Sequence, residues 1–184
     1  MGGAVPEHRD ASTRAKESET ASKPGAPSAE TKNEERRVQV DIAGKSGSEL
    51  RGTATLVEVE GGVRIRAEIQ SAPPGEHGFH IHQSADCSAA DAKSAGGHFA
   101  PRGHQHGLPS DDERHLGDLG NIRVAEDGTG SKTIVVDEAN LQRGHERSFL
   151  GRALMVHAKP DDGGQPTGNA GARIGCGPIT ASKG

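Results

Sequence analysis

Val63-Arg64-Ile65-Arg66-Ala67-Glu68-Ile69-Gln70 is the stretch on which the fold turns. Val63, Ile65, Ala67 and Ile69 face one way and Arg64, Arg66, Glu68 and Gln70 the other, the two-residue period of a half-buried antiparallel strand. Working back, Gly61-Gly62 reads as a hairpin turn, preceded by a second run over about Leu50 to Val59. A turn at Gly44 to Ser48 separates that run from Val38, Val40 and Ile42, which alternate with Gln39 and Asp41. Working forward, Pro73-Pro74-Gly75 breaks the pattern. Gly78 to His82, Asn121 to Val124, Ser131 to Val136, Arg152 to His157 and Arg173 to Thr180 then complete eight short strands. A polar connection spans Asp137 to Gly151. Eight strands at this spacing, with no helical period, predict an all-β antiparallel barrel or sandwich.

Composition agrees. The 184-residue chain has 27 Gly and 10 Pro but only 3 Phe and no Trp or Tyr, which suits short strands joined by turns better than a helical bundle. That length fits one domain of about 150 residues plus an appendage. A net charge of -4 gives no basic face for nucleic acid, and no apolar run approaches the roughly 20 residues that span a bilayer. Residues 1 to 37 hold no apolar side chain larger than alanine apart from Met1 and Val5. They read as a disordered polar tail or linker, with the folded domain at 38–184. Such a tail suits an export signal already removed, and equally a spacer that tethers the domain to a membrane through a lipidated N-terminus.

The unusual residues lie in two long connections, and structureless loops of this length are commonly functional. The first includes Cys87, Gly97-His98-Phe99, His104-Gln105-His106-Gly107 and His115-Leu116-Gly117-Asp118. It follows Gly78-Phe79-His80-Ile81-His82, where strand geometry projects His80 and His82 together and sends Phe79 and Ile81 to the core. A His-x-His on a strand is a two-toothed chelator, and His157 ends another strand-like run. Imidazole suits copper and zinc, and three imidazoles with one carboxylate suit tetrahedral zinc.

Gly78 to His82, Gly97 to Phe99, His106-Gly107, Gly117 to Asn121, Gly168 to Arg173 and Cys176-Gly177 resemble, in order, the motifs of copper-zinc superoxide dismutase over about Val38 to Ile179. The short second loop and the lead-in Pro73 to His77 resemble the bacterial branch. The resemblance implies an eight-stranded Greek-key barrel of immunoglobulin-like sandwich type, with one copper and one zinc per subunit. It implies copper on His80, His82, His98 and His157, and zinc on His98, His106, His115 and Asp118, so that His98 serves both. Of the neighbours His104 and His106, His106 matches the family's ligand because it immediately precedes glycine.

The remaining roles also follow from the resemblance. Superoxide is the implied substrate, His98 the group able to deliver a proton, and Arg173 the guanidinium that attracts the anion. Asp161 matches the aspartate that hydrogen-bonds one ligand of each metal, and Cys87 and Cys176 match the intrasubunit disulfide. A disulfide favours the periplasm or another extracytoplasmic compartment. The family includes both monomers and homodimers. Two other classes compete. A non-catalytic copper-binding or copper-delivery module tends to lose a copper ligand or the arginine, and a zinc-only hydrolase needs three ligands, a bound water and a nearby base. The sequence keeps four histidines, and the arginine with them.

Overall fold

The computed structural model describes residues 36–181. Its strands are β1 (Arg37–Gly44), β2 (Arg51–Val59), β3 (Gly62–Gln70), β4 (Gly75–His82), β5 (Asp118–Val124), β6 (Gly130–Asp137), β7 (Arg152–His157) and β8 (Arg173–Ile179). They form a closed barrel in the order β1-β2-β3-β6-β5-β4-β7-β8, and every neighbouring pair is antiparallel. The all-β expectation holds. The link from β3 to β4 passes over the ends of β6 and β5, which makes the Greek key.

Closure is uneven. β2 and β3 pair along their whole length, whereas β5 meets β6 only at Val124↔Gly130 and β1 meets β8 only at Ala43↔Cys176 and Gly44↔Gly175. The barrel is therefore two curved sheets, β1-β2-β3-β6 and β5-β4-β7-β8, joined at two short seams. Between them lies the core, with Val38, Val40, Leu56, Val63, Ile65 and Val136 from one sheet and Phe79, Ile81, Leu119, Ile122, Leu154 and Val156 from the other. The β3 alternation is realised residue by residue, as Val63, Ile65, Ala67 and Ile69 are buried and the four polar residues between them exposed.

Three expectations shift. The tail reading for residues 1–35 lies outside the described residues, but Arg37 already opens β1 by pairing with Val57. β4 begins at Gly75 instead of Gly78, because Gly75 to Gly78 pair with Val124 to Asn121. The connection after β6 is not simply polar: Leu141 and Phe149 are fully buried and join the main core. Phe149 packs edge-on against Phe99 at 6.1 Å, and the Arg152 guanidinium sits 4.2 Å from the centre of the Phe99 ring.

β4 and β7 are buried on both faces. Beneath the loops, Ala153, Met155 and Cys176 form a second, smaller cluster with Ala92 and Ala95. The Cys87–Cys176 disulfide crosses this cluster, tying the loop before β5 to β8.

Candidate metal centre

The site begins with the loop-facing side of β4. His80 and His82 are essentially without solvent exposure, at 0% and 1%, and Phe79 and Ile81 occupy the opposite face in the core. His157 ends β7 at a break in the β7–β8 register between Val156 and His157, a common device for re-aiming a side chain near a site. His98 is brought alongside by the loop itself. His82 and His98 form an isolated antiparallel bridge, the Gln83 amide donates to Gly97 O at 2.9 Å and the Phe99 amide to Ile81 O at 2.8 Å. The return of the loop is fixed at Gly117, where a Cβ would stand 2.3 Å from Ile81 O, so only glycine allows the approach.

Two groups of potential ligand atoms result, each lying within 4.8 Å of one another: His80, His82, His98 and His157; and His98, His106, His115 and Asp118. His98 is common to both. The second nitrogens show which way each ring faces. His80 Nε2 donates to Asp161 Oδ2 at 2.7 Å and His106 Nε2 to Asp161 Oδ1 at 2.9 Å. His82 Nδ1 donates to Gly96 O at 2.9 Å and His157 Nδ1 to Gly171 O at 3.2 Å. With the protons placed there, the other nitrogens present lone pairs inward.

Three of those inward nitrogens lack partners. His80 Nδ1, His98 Nε2 and His106 Nδ1 are buried without a hydrogen bond. His106 Nδ1 lies 3.0 Å from Asp118 Oδ2 but without the alignment of a hydrogen bond. His82 Nε2 and His157 Nε2 face each other at 3.3 Å, whereas His98 Nδ1 and His115 Nδ1, 3.4 Å apart, both face Asp118 Oδ1, at 2.8 and 3.2 Å. Buried lone pairs aimed at one another are costly unless a cation lies between them. The donor set, four imidazoles on one side and three with a carboxylate on the other, fits copper and zinc chemistry.

Electrostatics keep these groups ready to ligate. Burial pushes His82 down to about 2, His157 to about 3 and His98 to about 4, so the rings are neutral at ordinary pH. Burial alone would raise Asp118, but hydrogen bonds from His115, His98 and the Gly107 amide outweigh it and hold the carboxyl well below the usual range. Burial likewise opposes ionisation of Asp161, where His80, the Gly163 amide and His106 prevail and bring it to about 2.

Asp161 is itself clamped. The Asn121 side chain donates Nδ2 to Asp161 O at 2.9 Å and accepts the Asp161 amide on Oδ1 at 2.7 Å. The Gln165 side chain does the same for the His106 backbone, donating Nε2 to His106 O at 2.7 Å and accepting its amide on Oε1 at 3.3 Å. Gly168 has φ +75°, and a Cβ there would fall 2.0 Å from Asp161 Oδ1. Sequence reasoning gave Asn121 and Gly168 no role beyond their motifs and missed Gln165 altogether; no local signal marks a glutamine that pairs with a backbone 59 residues away.

The other singled-out residues fall as follows. Arg173 opens β8 opposite His157, is half-buried, and donates Nη1 to Ala92 O at 2.7 Å; its charge is among the influences that lower His82 and His157. His104 lies outside both groups. His77 places its ring nitrogens 2.8 Å from His157 O and Pro73 O, a structural contact. His145 Nδ1 accepts from Asn140 Nδ2 at 2.9 Å and from the Arg147 amide at 3.1 Å.

A model of the copper/zinc superoxide dismutase family matches residues 50–179. Among solved structures, the clock protein EA4 is 36% identical, with a TM-score of 0.72, over 80% of this chain and 95% of that one. A double mutant of a SOD-like protein from Bacillus subtilis is 34% identical, with a TM-score of 0.70, over 77% of this chain and 96% of that one.

Proposed function

We propose, for a chain that belongs to the copper/zinc superoxide dismutase family, that it disproportionates superoxide: two superoxide anions and two protons give one dioxygen and one hydrogen peroxide. The observation that supports this most is His98, set with one nitrogen in each of two ligand groups. Copper would be held by Nδ1 of His80 and Nε2 of His82, His98 and His157; zinc by Nδ1 of His98, His106 and His115 and by an Asp118 oxygen. When bound, copper supplies one-electron exchange, and zinc, which is redox-silent, supplies fixed positive charge.

The chain's own residues do the rest. Strands β4 and β7 hold three of the copper-side rings, and Asp161 orients one ring from each group. His98 Nε2 would carry a proton to the reduced oxygen species when that nitrogen is not engaged. The Arg173 guanidinium, part-buried beside the copper group, would attract and orient the small anion.

The test is superoxide consumption by metal-reconstituted protein beside two variants. His157→Ala should abolish activity, and Arg173→Ala should lower it partially, with a weaker dependence on salt. Equal rates in all three would overturn the reading. Uptake of both metals without superoxide consumption would instead assign a copper-binding or copper-delivery role. The dismutase domain expected at 38–184 would start one residue earlier, at Arg37, with the preceding residues as its tail. The disulfide supports an oxidising compartment such as the periplasm.

A further inference from the structure

β1 and β8 share one of the two short seams of the barrel, at Ala43↔Cys176 and Gly44↔Gly175. The seam continues past the end of β1, one residue at a time. The Lys45 amide donates to Ile174 O at 2.9 Å, and the next carbonyl along, that of Arg173, accepts the Ser46 hydroxyl at 2.9 Å. A side chain stands in for an amide here because the Ser46 N–H points elsewhere, to Ala90 O at 2.8 Å in the connection before β5. The Lys45 ammonium reaches the same connection and donates to Cys87 O.

That connection also holds the far end of Arg173. Among the described residues the guanidinium makes one hydrogen bond, from Nη1 to Ala92 O at 2.7 Å, and pairs with no carboxylate. Asp91, whose charge reaches it, is engaged with Lys93 at 3.0 Å. A half-buried cation is thus tied at its backbone by Ser46, and at its tip by a loop that Ser46 and Lys45 also grip.

The backbone carries a second mark. Ser46 has φ 53° and Ala92 φ 54°, the left-handed region where a side chain is disfavoured and glycine is the usual residue. Other residues persist there where their surroundings hold them, commonly at functional sites. Ser46 is exposed and buries no apolar surface. Glycine would relax this turn but lose the hydroxyl that joins it to β8.

We propose that the turn between β1 and β2 is a clasp that immobilises Arg173, with Ser46 and Lys45 as positioning residues. Ser46 fixes the root of the side chain. Through Ala90 and Cys87 the two residues together fix the loop carbonyl that aims the guanidinium. The effect on turnover rests on the dismutase reading; the immobilisation itself does not.

The experiment measures the nitrogen-15 order parameter of Arg173 Nε in copper(I)–zinc protein, beside superoxide consumption and thermal unfolding. Ser46→Gly should leave the thermal midpoint unchanged or raise it, since the left-handed strain is relieved. The Arg173 order parameter should nevertheless fall, and the rate should drop roughly three- to tenfold. Its dependence on salt should stay, because the guanidinium charge remains, whereas Arg173→Ala weakens that dependence. Lys45→Met should loosen Arg173 as well, and Lys45→Arg, which keeps a donor, should restore it. An unchanged order parameter in both Ser46→Gly and Lys45→Met overturns the proposal, as does a loosened guanidinium with the rate untouched. If the unsubstituted protein consumes no superoxide, the dismutase reading fails, and a guanidinium loosened by both substitutions still supports the clasp. A guanidinium that stays rigid in variants with full turnover sinks the clasp and leaves the dismutase reading standing.

Discussion

The two ligand groups share a histidine yet are built by opposite means. In the group proposed to hold copper, His80, His82 and His157 belong to β4 and β7, whose backbones are fixed by ladders on both flanks. In the group proposed to hold zinc, His98, His106 and His115 stand on the connection before β5, which holds no regular structure beyond one 3-10 turn at Lys93–Ala95. There each ligand depends on cross-links: Asp118 Oδ2 accepts the Gly107 and His115 amides, Gln165 brackets His106, and the disulfide anchors the start of the loop. A strand half is preorganised by the fold itself, and a loop half only by its side-chain ties.

That contrast can be broken in three ways, of decreasing size. Cys87→Ser combined with Cys176→Ser opens a loop whose ends are 89 residues apart and should cost about 4 kcal/mol in urea unfolding. Hydrogen exchange should quicken first in the loop and last in β4 and β7. Uniform acceleration would erase the distinction between the halves. Asp161→Asn should lower zinc affinity by roughly 10- to 100-fold, read by competition with a chelator. Copper affinity should fall less, because His80 keeps its backbone ladder after losing its acceptor. An equal fall on both sides would mean that the strands do not preorganise their ligands. Gln165→Ala removes two hydrogen bonds to one backbone and should cost about 1 kcal/mol, seen as several-fold weaker zinc binding with copper binding unchanged. A matching loss of copper would show that Gln165 acts on the whole centre.

The same contrast governs what could be read from the sequence. The strand half was legible because a two-residue period determines which side chains share a face: Val63 to Ile69 pointed to the core and His80 with His82 to one chelating edge. The start of β5 was hidden, since Gly117 and Gly120 look like turn residues while Asp118 in fact pairs with His80 across a register shift. Leu141 and Phe149 gave no periodic signal because they reach the core from an irregular segment. Between His104 and His106, spacing alone could not choose; the family motif favoured His106, and the fold gathers His106 with His98 and Asp118 while His104 turns to the neighbouring cavity. Gln165 was beyond reach because its partner is set only when two loops meet.

β4 has no wet face from His77 to His82. Phe79 and His80 are consecutive, so a methylene removed from the barrel interior is felt one peptide away, at a nitrogen facing the centre. Tuning the spacing of these rings would not require touching any residue that surrounds them. It could be done from the inside, by resizing Phe79 or Ile81, and the hydrocarbon packing would act as the adjusting screw of the inorganic chemistry.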